Sequence, residues 1–220
     1  WIFTTKFTAP TGSEILVDDD GVADFRTVQG ALTYVMNTVA KDEAATISIK
    51  DGIYNEMLFL RNQNNITIQG ESRENTIVQY DNYETFNGGS SGRPLFLVES
   101  ADMLVLNNFT LKNSHIRDNA YSNQAEAIYF NSNYRLIANN MNFISEQDTI
   151  LVKGYAWFYN SLIAGNVDFI WGDPAAALFE ESEIELTKRY LDKNHAFRIG
   201  ELRSISRGVV ENNFNLAEGF

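Results

Sequence analysis

Leu104-Val-Leu-Asn-Asn-Phe-Thr-Leu111 and Leu136-Ile-Ala-Asn-Asn-Met-Asn-Phe143 are two versions of one octet, and the octet recurs. Arg61-Asn-Gln-Asn-Asn-Ile-Thr-Ile68 and Val209-Val-Glu-Asn-Asn-Phe-Asn-Leu216 read in the same frame. Trp157-Phe-Tyr-Asn-Ser-Leu-Ile-Ala164 and Leu178-Phe-Glu-Glu-Ser-Glu-Ile-Glu185 are weaker copies. The starts at 61, 104, 136, 157, 178 and 209 are separated by 43, 32, 21, 21 and 31 residues. A shortest unit of 21, with longer units formed by inserting loops, is the mark of a solenoid. Within each octet, apolar residues alternate around an Asn-Asn or Asn-Ser bend, which is strand patterning and not a 3.6 period. A leucine-rich repeat has a similar period but needs a Leu-x-x-Leu-x-Leu frame, which is missing. The expectation is an all-β chain folded as a right-handed parallel β-helix.

The composition agrees. Asparagine accounts for 24 of 220 residues, and Asn tolerates left-handed backbone better than other non-glycine residues, so repeated tight turns explain its abundance. One segment departs from strand patterning. From Thr27 to Val39, Val28, Ala31, Leu32, Val35 and Met36 follow helical spacing, which predicts a short N-terminal helix capping the first open coil. The glycine-rich stretch Asn87 to Gly92 and the polar stretch Asn113 to Asn123 read as long loops between coils, where function tends to gather. No linker interrupts the chain, so residues 1–220 read as a single β-helix domain.

Other counts narrow the chemistry. With no cysteine there is no disulfide framework, thiolate metal site or cysteine nucleophile. A formal charge of −12 argues against a nucleic-acid surface. No apolar run reaches the length of a membrane span, and the first residues lack a signal-peptide pattern. Because the chain starts at Trp1, its numbering is expected to begin inside a longer precursor, leaving any targeting segment out of view. Nucleophile-elbow, phosphate-loop, dinucleotide and zinc-helix motifs are absent. Asp18-Asp19-Asp20-Gly21 lacks the alternation of a calcium loop and reads as a solvated turn, so no metal site is expected. His115 and His195 lie in polar, loop-like surroundings that do not suggest a triad.

What remains is a constellation of carboxylates and amides: Gln124-Ala-Glu-Ala-Ile128, Gln147-Asp148-Thr149-Ile150 and Val167-Asp168-Phe-Ile-Trp171-Gly172. Gln124, Gln147, Asp148 and Asp168 precede the following octets by 12, 10, 9 and 10 residues. They therefore fall at similar points on adjacent coils, about 4.8 Å apart. Stacked acids at that distance do not both ionise easily, and one is pushed up. A solvated or hydrogen-bonded ladder is the alternative reading of spacing alone.

These three motifs, with Gly52-Ile-Tyr54-Asn-Glu56, Asp20-Gly-Val-Ala-Asp24-Phe25-Arg-Thr27-Val28-Gln29 and Ile66-Thr-Ile-Gln-Gly70, resemble the pectin methylesterase family (pectinesterase, carbohydrate esterase family 8) in order and spacing over residues 15 to 190. The resemblance implies a right-handed parallel β-helix that needs no cofactor and demethylates pectin (homogalacturonan) to methanol and free carboxylates. It implies that Asp168 is the nucleophile and Asp148 the general acid and then base, with Gln124 and Gln147 donating to the oxyanion. Phe169, Trp171, Tyr129 and Trp157 are the candidate sugar-stacking aromatics, with core packing as their alternative. A secreted or periplasmic monomer, bound to neither nucleic acid nor membrane, is the corresponding setting.

Three departures stand out. The family's Leu-Gly-Arg-Pro-Trp stretch, whose Arg pairs with the nucleophile, is absent, so the chain is expected to lack the family's C-terminal coils. Arg198 and Arg203 fall in a poorly matching region and read as surface charge, with substitution for the missing Arg as the alternative. Trp171 replaces a more usual Phe, and Glu126 is a less usual acid in the first motif. The alternative function is a catalytically silent β-helix that binds polysaccharide or serves as a structural module.

Overall fold

The computed structural model describes residues 10–118 and 122–187. Helix α1 (Val28–Thr38) is followed by a succession of short strands. Every strand pair is parallel, and the strands wind into coils with three faces. Face one carries β4 (Leu58–Arg61), β7 (Phe96–Glu99), β10 (Ile128–Asn131) and the first parts of β13 (Ile150–Tyr159) and β15 (Ile170–Glu180). Face two carries β1 (Glu14–Val17), β2 (Ala45–Ile49), β5 (Ile66–Gly70), β8 (Leu104–Asn107), β11 (Arg135–Asn139) and the second parts of β13 and β15. Face three carries β3 (Gly52–Asn55), β6 (Thr76–Tyr80), β9 (Thr110–Asn113), β12 (Asn142–Ile144), β14 (Leu162–Gly165) and β16 (Glu183–Leu186). The fold is the parallel β-helix that the repeat predicts.

Alternation puts one apolar side chain per coil into each interior ladder. On face two, Ile47, Ile68, Leu106, Ala138, Phe158 and Phe179 are direct register partners, and the last two rings stack 4.8 Å apart. On face one the corresponding ladder is Leu58, Phe96, Ile128, Ile150 and Ile170. Each fully buried side chain of this kind contributes about 1.5–3 kcal/mol. Strands β13 and β15 turn from face one to face two without a break. Gly154 makes this turn in β13 at φ +66°, where an added Cβ would meet the Tyr134 and Ser132 carbonyl oxygens at 2.4 and 2.5 Å.

The corner between faces two and three is an asparagine ladder. Asn108, Asn140 and Asn160 are all left-handed, at φ 62°, 52° and 45°. Asn140 donates to Asn108 Oδ1 at 2.6 Å and Asn160 to Asn140 Oδ1 at 3.1 Å. Register corrects the octet frame in two places. Leu104 does pair with Leu136, but Ile137, not Leu136, pairs with Trp157. Thr67 pairs with Val105, so the octet starting at Arg61 is out of frame: its Asn64-Asn65 serves a different turn, ahead of β5. The octet starting at Val209 lies outside the described residues.

Helix α1 occupies the end of the solenoid as expected. Thr27 caps it by accepting from Gly30 N–H, and half-buried Glu56 accepts from the N–H groups of Val28 and Gln29, both at 2.8 Å. Gln29 also stands in for a missing neighbouring strand: its amide takes the N–H of Phe59 at 2.7 Å and donates to the same residue's carbonyl at 3.3 Å, closing the edge of β4.

Candidate active site

Ile128, Ile150 and Ile170 are register partners on face one. Two residues ahead of each, at the corner leading in from face three, stand Glu126, Asp148 and Asp168. Three acids thus occupy the same position on three successive coils, about 4.8 Å apart. Backbone bonds fix the alignment, with Ala127 N–H donating to Thr149 O and Asp148 N–H to Val167 O. Asp148 and Asp168 are both left-handed, at φ 62° and 46°. This sparsely populated backbone is better tolerated by Asp than by most residues, and the coil on either side holds it. Beneath them Gly165 leaves room for the corner: a Cβ there would come within 2.2 Å of Phe169 Cβ and 2.6 Å of Thr149 Oγ1.

Asp148 is almost fully buried, whereas Asp168 is half-buried. Burial, together with the negative charges of Glu126 and Asp168, pushes the Asp148 carboxyl up to about 8, against the opposing pull of Arg93 and a hydrogen bond from Gln147. A carboxyl so placed holds its proton at neutral pH, which is what a general acid requires.

Gln147 lies one residue before Asp148, and its side-chain oxygen accepts from Arg117 Nε at 3.1 Å. That bond fixes which way the amide faces, so that its NH2 group is turned to Asp148, to which it donates, with a second N–H to spare. Arg117 is itself anchored, its backbone N–H donating to Glu146 Oε2 at 2.8 Å. Gln124 is half-buried, and its side-chain oxygen has no partner among the described residues. In register it matches Glu146, not Gln147, so the two glutamines approach the acids from different positions.

The outward side of face one is an apolar strip. Phe59, Leu97, Tyr129, Leu151 and Trp171 are successive register partners and pack as one cluster beside the acids. Of the four candidate stacking aromatics, Tyr129 and Trp171 lie in this strip. The other two lie elsewhere. Phe169 is fully buried in the main core, because the Asp168 turn interrupts alternation and sends two consecutive side chains inward, Phe169 and Ile170. Trp157 projects from face two, beyond the Gly154 turn, with its indole N–H donating to Glu180 at 3.1 Å. Neither offers a ring to a sugar beside the acids.

Sequence reasoning missed Arg93 and gave Glu126 too small a place. Arg93, from the glycine-rich loop, donates from Nε to both oxygens of Glu126 at 2.9 and 3.0 Å and from Nη1 to Glu84 at 2.8 Å. Its Nη2 lies 3.3 Å from Asp148 Oδ2. Against the cost of burial, the Glu126 and Glu84 contacts raise the guanidinium above its ordinary value, and Arg93 holds Glu84 below the carboxylate norm. Arg198 and Arg203 lie outside the described residues. The Asp18–Asp20 cluster forms a turn in which Asp18 accepts from Gly21 N–H at 2.9 Å.

Comparison with known proteins agrees with this architecture. The family profile described as Pectinesterase matches residues 14–199. "Probable pectinesterase/pectinesterase inhibitor 36" of Arabidopsis thaliana is 31% identical over 180 residues, covering 80% of this chain and 34% of that protein. "Probable pectinesterase A" of Aspergillus flavus is 29% identical, covering 82% and 54%. The chain therefore spans about a third to a half of these relatives. Among solved structures, the pectin methylesterase of Aspergillus niger superposes with a TM-score of 0.70 at 23% identity, over 94% of this chain and 64% of that one. With a family match over most of its length and a β-helix that presents the motif acids on one corner, the chain belongs to the pectinesterase family.

Proposed function

We propose that this chain carries the catalytic corner of a pectin methylesterase and cleaves methyl esters of galacturonate chains to methanol and free carboxylate. The observation that carries the reading is the pairing of Asp148 and Asp168, same-register neighbours of unequal burial, one of them built to hold a proton. Half-buried Asp168 attacks the ester carbonyl. Asp148 gives its proton to the departing methanol, forming an acyl-enzyme, and then takes a proton from water as that water releases the acid. Gln147 and Gln124 donate to the oxyanion, with Gln147 turned by Arg117. Tyr129 and Trp171 flank the sugar ring. No step calls for a cofactor or a metal. The substrate places the protein outside the cytoplasm, and among the described residues no helix is long and apolar enough to cross a membrane.

The test is product analysis on highly methylated pectin. Methanol release with unchanged polymer length supports the reading. New reducing ends or unsaturated products instead would assign a glycosidase or lyase, and pectin binding with no product at all would assign a binding module.

A further inference from the structure

Arg93 and Glu126 lie beside the acids, and the reaction described above uses neither. Glu126 is completely enclosed, and Arg93 nearly so. A buried ion pair gains stability only when geometry and hydrogen bonding are good, and a hydrophobic pair would often serve as well for stability alone. This pair has a fork geometry and a third party: Nη2, itself 2.9 Å from Glu126 Oε1, also faces Asp148 at 3.3 Å, longer than each of the contacts to Glu126 and Glu84. The guanidinium also lies 5.8 Å from the Trp171 ring centroid, between the acid corner and the apolar strip.

Among the described residues, the charges that face one another here are Glu84, Glu126, Asp148 and Asp168 against Arg93, with Arg117 behind Gln147. Were Arg93 free of Glu126, it would pair fully with Asp148 and draw off its proton, as an adjacent cation does with any carboxyl. Tied to Glu126 and Glu84, it reaches Asp148 with one weak contact that orients the carboxyl and leaves the proton in place.

We propose that Arg93 and Glu126 are positioning residues that hold Asp148 oriented and protonated, with Glu126 acting as a competitor that keeps Arg93 from ionising it. Their part in ester hydrolysis rests on the function proposed above, whereas the coupling to Asp148 is measurable without turnover.

The experiment is a carboxyl 13C NMR titration of Asp148 in the whole chain, alongside the 15N resonance of Arg93 Nε. Glu126→Gln preserves shape but releases Arg93, and the Asp148 midpoint is expected to fall by about one unit or more. Glu84→Gln, on a partly exposed loop residue, is expected to lower it by less and covers the case in which Glu126→Gln does not fold. In the native chain the Arg93 resonance should shift at the Asp148 midpoint, a signature that mere packing does not produce. An Arg93 resonance indifferent to Asp148, or a midpoint unmoved in the folded variants, overturns the proposal. If the midpoint falls but the pH dependence of methanol release does not move with it, the coupling stands and the assigned role of Asp148 in hydrolysis fails.

Discussion

Asp148→Asn should make the protein more stable while disabling it, and the gain should depend on pH in a defined way. The Asp148 carboxyl stands near 8 in the folded chain against an ordinary aspartate value of 3.8. A raised carboxyl binds its proton more tightly when folded, so its contribution is fully favourable below about pH 4, declines as pH rises through the window and levels off above about pH 8. Each unit of difference is worth about 1.4 kcal/mol, so the raised carboxyl lowers native stability by about 4 kcal/mol at pH 7, where the unfolded chain has ionised and the folded one has not, and by roughly 5–6 kcal/mol in full. Asn is a neutral isostere of the protonated form and escapes this cost. Urea unfolding of both proteins at several pH values reads the difference directly. The variant's advantage should be small near pH 4 and grow by about 1.4 kcal/mol per pH unit up to about pH 8. A difference that is flat across the window, or one that favours the native chain as pH rises, would refute the buried, proton-holding acid. That reversed trend is what a salt-bridged Asp would give.

Two further outcomes follow from the site. Gln147→Leu removes a donor whose orientation Arg117 fixes, and kcat for methanol release should fall about 100-fold or more with KM little changed; a rise in KM alone would move Gln147 from the transition state to ground-state binding. Trp171→Ala should raise KM for methylated oligogalacturonides, whereas Trp157→Ala, on a different face, should leave both constants as they were; equal effects would show that the cleft extends onto face two.

Much of this architecture was legible in the residues. Alternation and the 21-residue unit identified a β-helix because each coil repeats one chemical pattern, and the capping helix was legible because its 3.6 period interrupts that pattern. The stacking of Asp148 and Asp168 was legible because their spacing to the next turn is nearly constant, but spacing alone allowed a ladder equally well, and it set Gln124 and Gln147 at like positions that the register separates. Register was harder, because an Asn-Asn pair suits more than one kind of left-handed turn; the pair at Asn64-Asn65 therefore read like the corner at Asn107-Asn108. Arg93 was not legible at all. It is 55 residues from Asp148, on a loop whose path no periodicity describes, and only the assembled coils bring the two to 3.3 Å. The position of Glu126 in the acid column was hidden for the same reason, since the coil between Ile128 and Ile150 is one residue longer than the 21-residue unit. Phe169 and Trp171 looked equivalent in sequence, yet the turn at Asp168 sends one inward and the other outward.

The central claim is that Asp168 is the nucleophile. It is tested most directly by methanol release from highly methylated pectin by the native chain and by Asp168→Asn, with circular dichroism confirming the same fold. The account predicts release by the native chain and a loss of about 1,000-fold or more in the variant. Undiminished release from Asp168→Asn would contradict it.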